Sequence, residues 1–265
     1  MKKIALITGA SSGIGKEFTV QISKRYQKLD EIWLIARRKE RLALLEKEIS
    51  IPIKIIELDL TKQEGMRSIK ELLYKEQPQI RFLINCAGFG KVGEVTRMKE
   101  EEQLDMIRLN CIALTFLSKE CIKYMKGGSH IVNMGSIASF FPVFHFAVYA
   151  ATKAYVLSFS RALRFELNKR DISVTTVCPG PVNTEFFHVA EKTGYRAWYK
   201  DCFLAQPQKV VAKALDDIKR GRELSIYKGE IYTLRVFSKL FPHRFMLWAM
   251  EWIETFFSRK NQNNL

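Results

Sequence analysis

Tyr149 and Lys153 stand four positions apart in the stretch YAATK. In a helix that spacing places a phenol and an ammonium one above the other on a single face. An unperturbed tyrosine titrates near pH ~10. A unit charge ~4 Å away, at an effective dielectric of ~20, contributes about 4 kcal/mol, which is roughly three pKa units. Such a pair could give and take a proton near neutrality. The same spacing also occurs on plain amphipathic helices, so the elements that position the pair must decide.

Those elements alternate. Apolar runs at 3–8, 31–36, 53–58, 80–85, 130–135 and 172–178 read as strands, with a short last one at 223–227. Residues 14–27 and 39–49 read as helices, and further helical stretches separate the later strands. Strands too apolar to have a wet face predict an α/β fold, a doubly wound parallel sheet covered by helices on both sides. No repeat, low-complexity tract or Gly/Ser/Pro linker interrupts the chain before about residue 183, which favours one domain.

The first strand runs straight into TGASSGIG (8–15), ahead of the first helix. Gly9, Gly13 and Gly15 permit a tight turn and close backbone approach. The helix start offers unpaired N–H groups and a positive dipole end to a phosphate. The spacing is G-x3-G-x-G rather than G-x-G-x-x-G. In the first βα turn of an alternating chain it points to a nucleotide.

Bulk properties narrow the classes. A formal net charge of +15 invites phosphate, nucleic acid or an anionic membrane. The basic residues are spread along the chain, with no zinc-finger spacing and no RNA-binding aromatic motif, which argues against nucleic acid. Cys86, Cys111, Cys121, Cys178 and Cys202 form no CxxC and read as buried thiols in a reducing compartment. His145 and His188 lack partners at metal-ligand spacing, so no metal is expected. The opening MKKIALITGA is too short an apolar run for a signal peptide. No stretch reaches the ~18 uninterrupted apolar residues of a spanning helix, so a cytoplasmic protein is expected.

Taken in order, TGASSGIG (8–15), DL (59–60), NCAG (85–88), Asn110, GSIAS (135–139), YAATK (149–153) and PGPVNT (179–184) make the sequence resemble the short-chain dehydrogenase/reductase family over roughly residues 3–227. Cys86 departs from the second asparagine usual there. The resemblance implies a Rossmann-fold domain over 1–230 that interconverts ketones and secondary alcohols. It implies that Tyr149 is the proton donor in reduction and acceptor in oxidation. Lys153 would lower its pKa and hold the nicotinamide ribose. Ser136 would bond the substrate oxygen, and Asn110 would anchor a water linking the lysine to solvent. Gly9, Ser11, Ser12, Gly13, Ile14 and Gly15 would hold the cofactor's phosphates, and Asp59 and Leu60 would sit at its adenine. Asn85, Ala87 and Gly88 would line its path, and Pro179, Gly180, Val182 and Thr184 would border the nicotinamide. A regulator that had kept the fold and lost catalysis is the alternative. It would be expected to lose Tyr149, Lys153 or Ser136, and all are present.

Cofactor choice turns on ARRKERL (36–42). NAD-preferring members usually carry an acid after the second strand, which would repel a 2′-phosphate. Arg37 and Arg38 can instead bond that phosphate, which favours NADP(H) over NAD(H). The plainer alternative is a solvated basic helix start.

The substrate loop is expected at about 183–206. Phe140, Phe141, Phe144, Phe186, Phe187, Trp198, Tyr199 and Phe203 suggest an apolar pocket, and so an apolar carbonyl or alcohol substrate. The remainder, 231–265, reads as a C-terminal amphipathic extension. Within it RFMLWAMEWIETFFSRK (244–260) is helical, with Phe245, Trp248, Ala249, Trp252, Ile253 and Phe256 in one stripe. Met246, Leu247, Met250 and Phe257 widen the stripe beyond what one packed face covers. Either a homo-oligomer interface or in-plane docking on an anionic membrane, aided by Arg244, Arg259 and Lys260, would cover it. Glu251 and Glu254 argue against spanning.

Overall fold

The computed structural model describes residues 1–195, 200 and 204–262, the side chains of 254 and 256–262 excepted. Seven strands form one parallel sheet in the order β3-β2-β1-β4-β5-β6-β7. They are β1 (Lys3–Thr8), β2 (Glu31–Ala36), β3 (Ile53–Glu57), β4 (Gln79–Asn85), β5 (Ser129–Met134), β6 (Ile172–Val177) and β7 (Leu224–Ser225). The sequence expectation for the strands holds to within a residue or two. The last, β7, is shortest, with only Thr176↔Leu224 and Val177↔Ser225 pairing at the sheet's edge.

Alternation along β1 shows why the sheet needs two covers. Ala5 and Ile7 enter the core on one face, with Phe18, Ile22, Val210 and Leu215 of α1 (Gly13–Arg25) and α8 (Pro207–Lys219). Ile4 and Leu6 enter the other. There they meet α3 (Gln63–Glu76), α5 (Leu114–Ile122) and α6 (Ala147–Leu167) through Ile69, Leu73, Leu117, Leu163 and Leu167. Period-2 side-chain alternation with both faces apolar leaves no wet face.

The second helix is shorter than the sequence suggests. α2 covers Lys39–Ala43 and tightens into a 3-10 turn over Leu44–Lys47. Only Leu42 and Leu45 of this stretch are buried, so little packing holds a longer helix. α4 (Glu100–Ile107) passes into α5 through a π-helical turn, Arg108–Ala113, which contains Asn110. Such one-turn expansions recur at functional sites. After β6 come α7 (Phe186–Ala190), α8, α9 (Gly229–Leu240) and α10 (His243–Gln262).

The chain order reverses between β1 and β4, the two strands that flank the sheet's switch point. In open α/β sheets, ligands bind outside the carboxyl ends of the strands at such a point.

Candidate active site

A cleft of about 910 Å³ opens there, walled by residues within two positions of the strand ends: Gly9, Arg37, Asp59, Cys86, Gly135 and Pro179. The loop after β1 forms its floor. Gly9 has a φ of +66°, and a Cβ on it would lie 2.8 Å from the Ala87 nitrogen. A Cβ on Gly15 would lie 2.3 Å from the Gly9 oxygen. Neither position tolerates a side chain without moving backbone. Thr8 ties this loop to the one after β4, its hydroxyl accepting from the Cys86 and Ala87 nitrogens at 3.1 and 3.0 Å. Ser12 caps α1 in an extended conformation and makes no side-chain bond to the helix. The first turn of α1 therefore offers N–H groups toward the cleft, a cradle suited to phosphate.

Arg38 crosses this end. Its Nη2 donates to the Ser11 and Ser12 hydroxyls at 3.1 and 3.0 Å, and its Nη1 to Glu185 Oε2 at 2.9 Å. Arg41 also donates to Glu185. Bonds from Arg41 and Arg38 hold the Glu185 carboxyl at about 2, well below the usual carboxylate range. Arg37 is largely exposed and lies 3.9 Å from Asp59. Burial pushes the Asp59 carboxyl up, but bonds from Thr61 and the nearby Arg37 bring it below its ordinary value.

At the other end Tyr149 and Lys153 occupy the first two turns of α6, both buried. Phe146 stacks on the Tyr149 ring with centroids 4.2 Å apart, and Phe186 lies 5.4 Å away. Ser136 favours the phenolate form of Tyr149, against the larger opposing effect of burial. Ser136 is itself fixed by a reciprocal cap with Ser139 and by accepting from the Ala138 nitrogen at 3.2 Å. Lys153 Nζ donates to the Met134 oxygen at 2.7 Å and lies 5.6 Å from the Tyr149 ring centroid.

Here the structure corrects one expectation. Lys153 does not bring the phenol toward neutrality. Burial pushes the Tyr149 phenol well above its ordinary value, and Ser136 offsets only part of that. Burial also lowers Lys153 to about 8. Desolvation penalises both charged forms and is the largest effect on each.

Most of the expected residues share the cleft. Ser11, Ser12, Gly13, Ile14, Leu60, Ala87, Gly88, Gly180, Val182 and Thr184 line it with those already named. Asn85 and Asn110 do not. Asn85 points into the core, donating to Asn133 at 2.8 Å and to Ser118 at 3.3 Å. Asn110 sits behind the wall. Its amide accepts from the Phe89 nitrogen and donates to the Phe89 oxygen and to Thr152. It thus holds the loop after β4 against α6 at Thr152, the residue before Lys153.

Of the expected aromatics, Phe141, Phe186 and Phe187 line the cleft. Phe140 instead packs under the Arg235 guanidinium, and Phe144 sits edge-on to His145. Trp198, Tyr199 and Phe203 lie outside the described residues. Sequence reasoning missed Phe89, Phe146 and the inner faces of α9 and α10, which contribute Ile231, Leu234, Met246, Met250 and Ile253. Phe146 could have been found by its place three residues before Tyr149 on the same helical face. It also missed Lys91, buried at the cleft and paired with Glu102 at 2.9 Å across the turn from the loop after β4 into α4.

The chain belongs to the short-chain dehydrogenase family, whose profile matches residues 3–194. It is therefore an oxidoreductase of the alcohol–carbonyl class. A 3-oxoacyl-[acyl-carrier-protein] reductase of Vibrio cholerae is 30% identical, the match covering 69% of this chain and 75% of that one. A short-chain dehydrogenase from Sphingobium yanoikuyae, solved in complex with NADPH, superposes with a TM-score of 0.73 at 30% identity, over 85% of this chain and 87% of that one. The bulky-bulky ketone specific alcohol dehydrogenase of Comamonas testosteroni gives a TM-score of 0.71 at 27% identity, over 91% and 92%.

Proposed function

We propose that this protein is an NADP(H)-dependent reductase of apolar ketones, and in reverse a dehydrogenase of the corresponding secondary alcohols. The carrying observation is that Ser136, Tyr149 and Lys153 line one cleft, between a phosphate cradle with an arginine clamp and an apolar, aromatic end.

The residues fit a dinucleotide. The α1 N-terminus and the side-chain-free Gly9 and Gly15 suit a pyrophosphate, and Arg38 with Arg37 suits a ribose 2′-phosphate. When bound, the nicotinamide supplies the hydride. This chain's residues do the rest. Ser136 and Tyr149 both line the cleft, and a carbonyl oxygen seated between them would accept from both hydroxyls. As that oxygen gains charge, Tyr149 gives it a proton. The raised pKa keeps the phenol protonated at neutral pH, and an alkoxide is a stronger base than any phenolate, so the transfer runs downhill. Lys153, held by Met134, stands ready to stabilise the phenolate left behind. Phe146 and Phe186 keep water from the reacting centre.

The apolar-substrate reading rests on Phe141, Val143, Phe187, Met246 and Met250 around the far end. The names of the similar proteins, a 3-oxoacyl reductase and a bulky-ketone dehydrogenase, agree with a carbonyl substrate. A screen of ketones, diketones, sterols and 3-oxoacyl thioesters with NADPH and with NADH tests the proposal. Oxidation of NADPH by an apolar ketone, faster than of NADH, is expected. No turnover of any carbonyl with either cofactor would defeat it.

A further inference from the structure

α9 and α10 have two working faces. On the inner one, Ile231, Leu234, Met246, Met250 and Ile253 line the cleft that holds Tyr149. On the outer one, Leu240, Trp248 and Trp252 are 72%, 60% and 63% exposed, joined by Phe237, Phe241 and Phe245. These rings form one ridge across the turn at Pro242. Phe237–Phe241, Phe241–Phe245 and Phe245–Trp248 centroids lie 5.6, 5.1 and 5.9 Å apart. The single broad stripe expected from the sequence is thus split: Ile253 turns in with Met246 and Met250, while Trp248 and Trp252 turn out.

An exposed aromatic ridge of this extent marks an interaction site. Charge selects the occupant. Lys239, His243 and Arg244 are exposed beside the ridge. The segment 228–262 carries Lys228, Arg235, Lys239, Arg244, Arg259 and Lys260 against Glu230, Glu251 and Glu254, within a chain of net charge +15. A second copy seated on this face would bring like charges together. An anionic bilayer accepts both features, with tryptophans at headgroup depth and cations at lipid phosphates. No helix of the described residues is long and apolar enough to cross a membrane, which leaves docking in the plane.

We propose that α9 and α10 dock this protein on an anionic lipid bilayer, and that an apolar carbonyl substrate dissolved there reaches Tyr149 past Met246 and Met250. The delivery half rests on the reductase reading above; the docking half does not. Docking is tested by co-sedimenting the full chain with phosphatidylcholine vesicles, alone or mixed with phosphatidylglycerol, alongside light scattering without lipid. The wild type should partition about ten-fold better onto the anionic vesicles and be released by salt. Trp248→Glu/Trp252→Glu should abolish binding while particle mass and NADPH affinity stay unchanged. Equal partitioning on both vesicles, or a smaller particle with lipid binding retained, would overturn docking; the second result would mean a subunit interface.

Delivery is read from NADPH oxidation with a long-chain methyl ketone held in the vesicles and with a small water-soluble ketone. The double variant should slow the first about ten-fold and spare the second. Equal effects on both would overturn delivery. If the wild type bound vesicles but reduced neither ketone, nor any carbonyl in the broader screen, docking would stand and the reductase reading would fall, taking delivery with it.

Discussion

Lys153 donates to the main-chain oxygen of Met134 at 2.7 Å, and its ammonium lies 5.6 Å from the centre of the Tyr149 ring. The lysine is thus tied to the end of β5 rather than to the tyrosine hydroxyl. Ser136, which favours the Tyr149 phenolate, follows the same strand. The end of β5 therefore holds Lys153 directly, and the pair's chemistry is set by burial as much as by spacing.

That burial has a measurable consequence for stability. Lys153 titrates at about 8 when folded and near 10.5 in an unperturbed chain. Below pH 8 the folded state holds a buried ammonium, and the cost is fully present. Between pH 8 and 10.5 the unfolded chain binds the proton more tightly, so this group's destabilisation fades as pH rises. Lys153→Met should therefore gain on the wild type at pH 7 and lose that advantage toward pH 10. Paired urea titrations across this range check it. A pH-independent difference would mean that the ammonium is not desolvated.

Arg38 serves two purposes that one variant separates. It clamps Ser11 and Ser12, and in the proposed NADP(H) reading it would also bind the ribose 2′-phosphate. Losing a charge-assisted bond costs about 1.5–3 kcal/mol, or roughly 10–100-fold in affinity. Arg38→Ala should weaken NADPH by that factor and NADH by far less, measured by fluorescence titration. Equal losses would reduce Arg38 to a loop clamp.

Glu185 competes for the same guanidinium. Its carboxylate, held at about 2 by Arg41 and Arg38, would repel an incoming phosphate. Glu185→Gln should tighten NADPH several-fold and leave NADH unchanged. Both bridges are partly solvent-exposed, so stability should change by no more than about 1 kcal/mol. Weaker NADPH binding would mean instead that Glu185 aligns the arginines for the cofactor.

Much of this was legible in the residues. Six strand positions, the glycine turn and the YAATK helix all follow from local periodicity and spacing, where the physical signal is short-range. The misses lie outside that local pattern. Glu185 meets Arg38 across 147 positions, and Lys91 meets Glu102 across the turn from the loop after β4 into α4. Asn85 and Asn110 carry motif positions, but their amides satisfy backbone and core partners behind the cleft. The tail's periodicity announced an apolar helix. Only packing shows that Met246 and Met250 line the cleft while Trp248 and Trp252 face outward.

The central claim is that the Tyr149 hydroxyl delivers the proton. Tyr149→Phe removes that hydroxyl and keeps the ring against Phe146 and Phe186, so folding and NADPH binding should persist. Steady-state NADPH oxidation with the best ketone from the screen is the direct measurement. The account predicts a fall in kcat of about 10²–10⁴ with NADPH affinity within a few-fold of wild type. Near-normal turnover by the phenylalanine variant would contradict it.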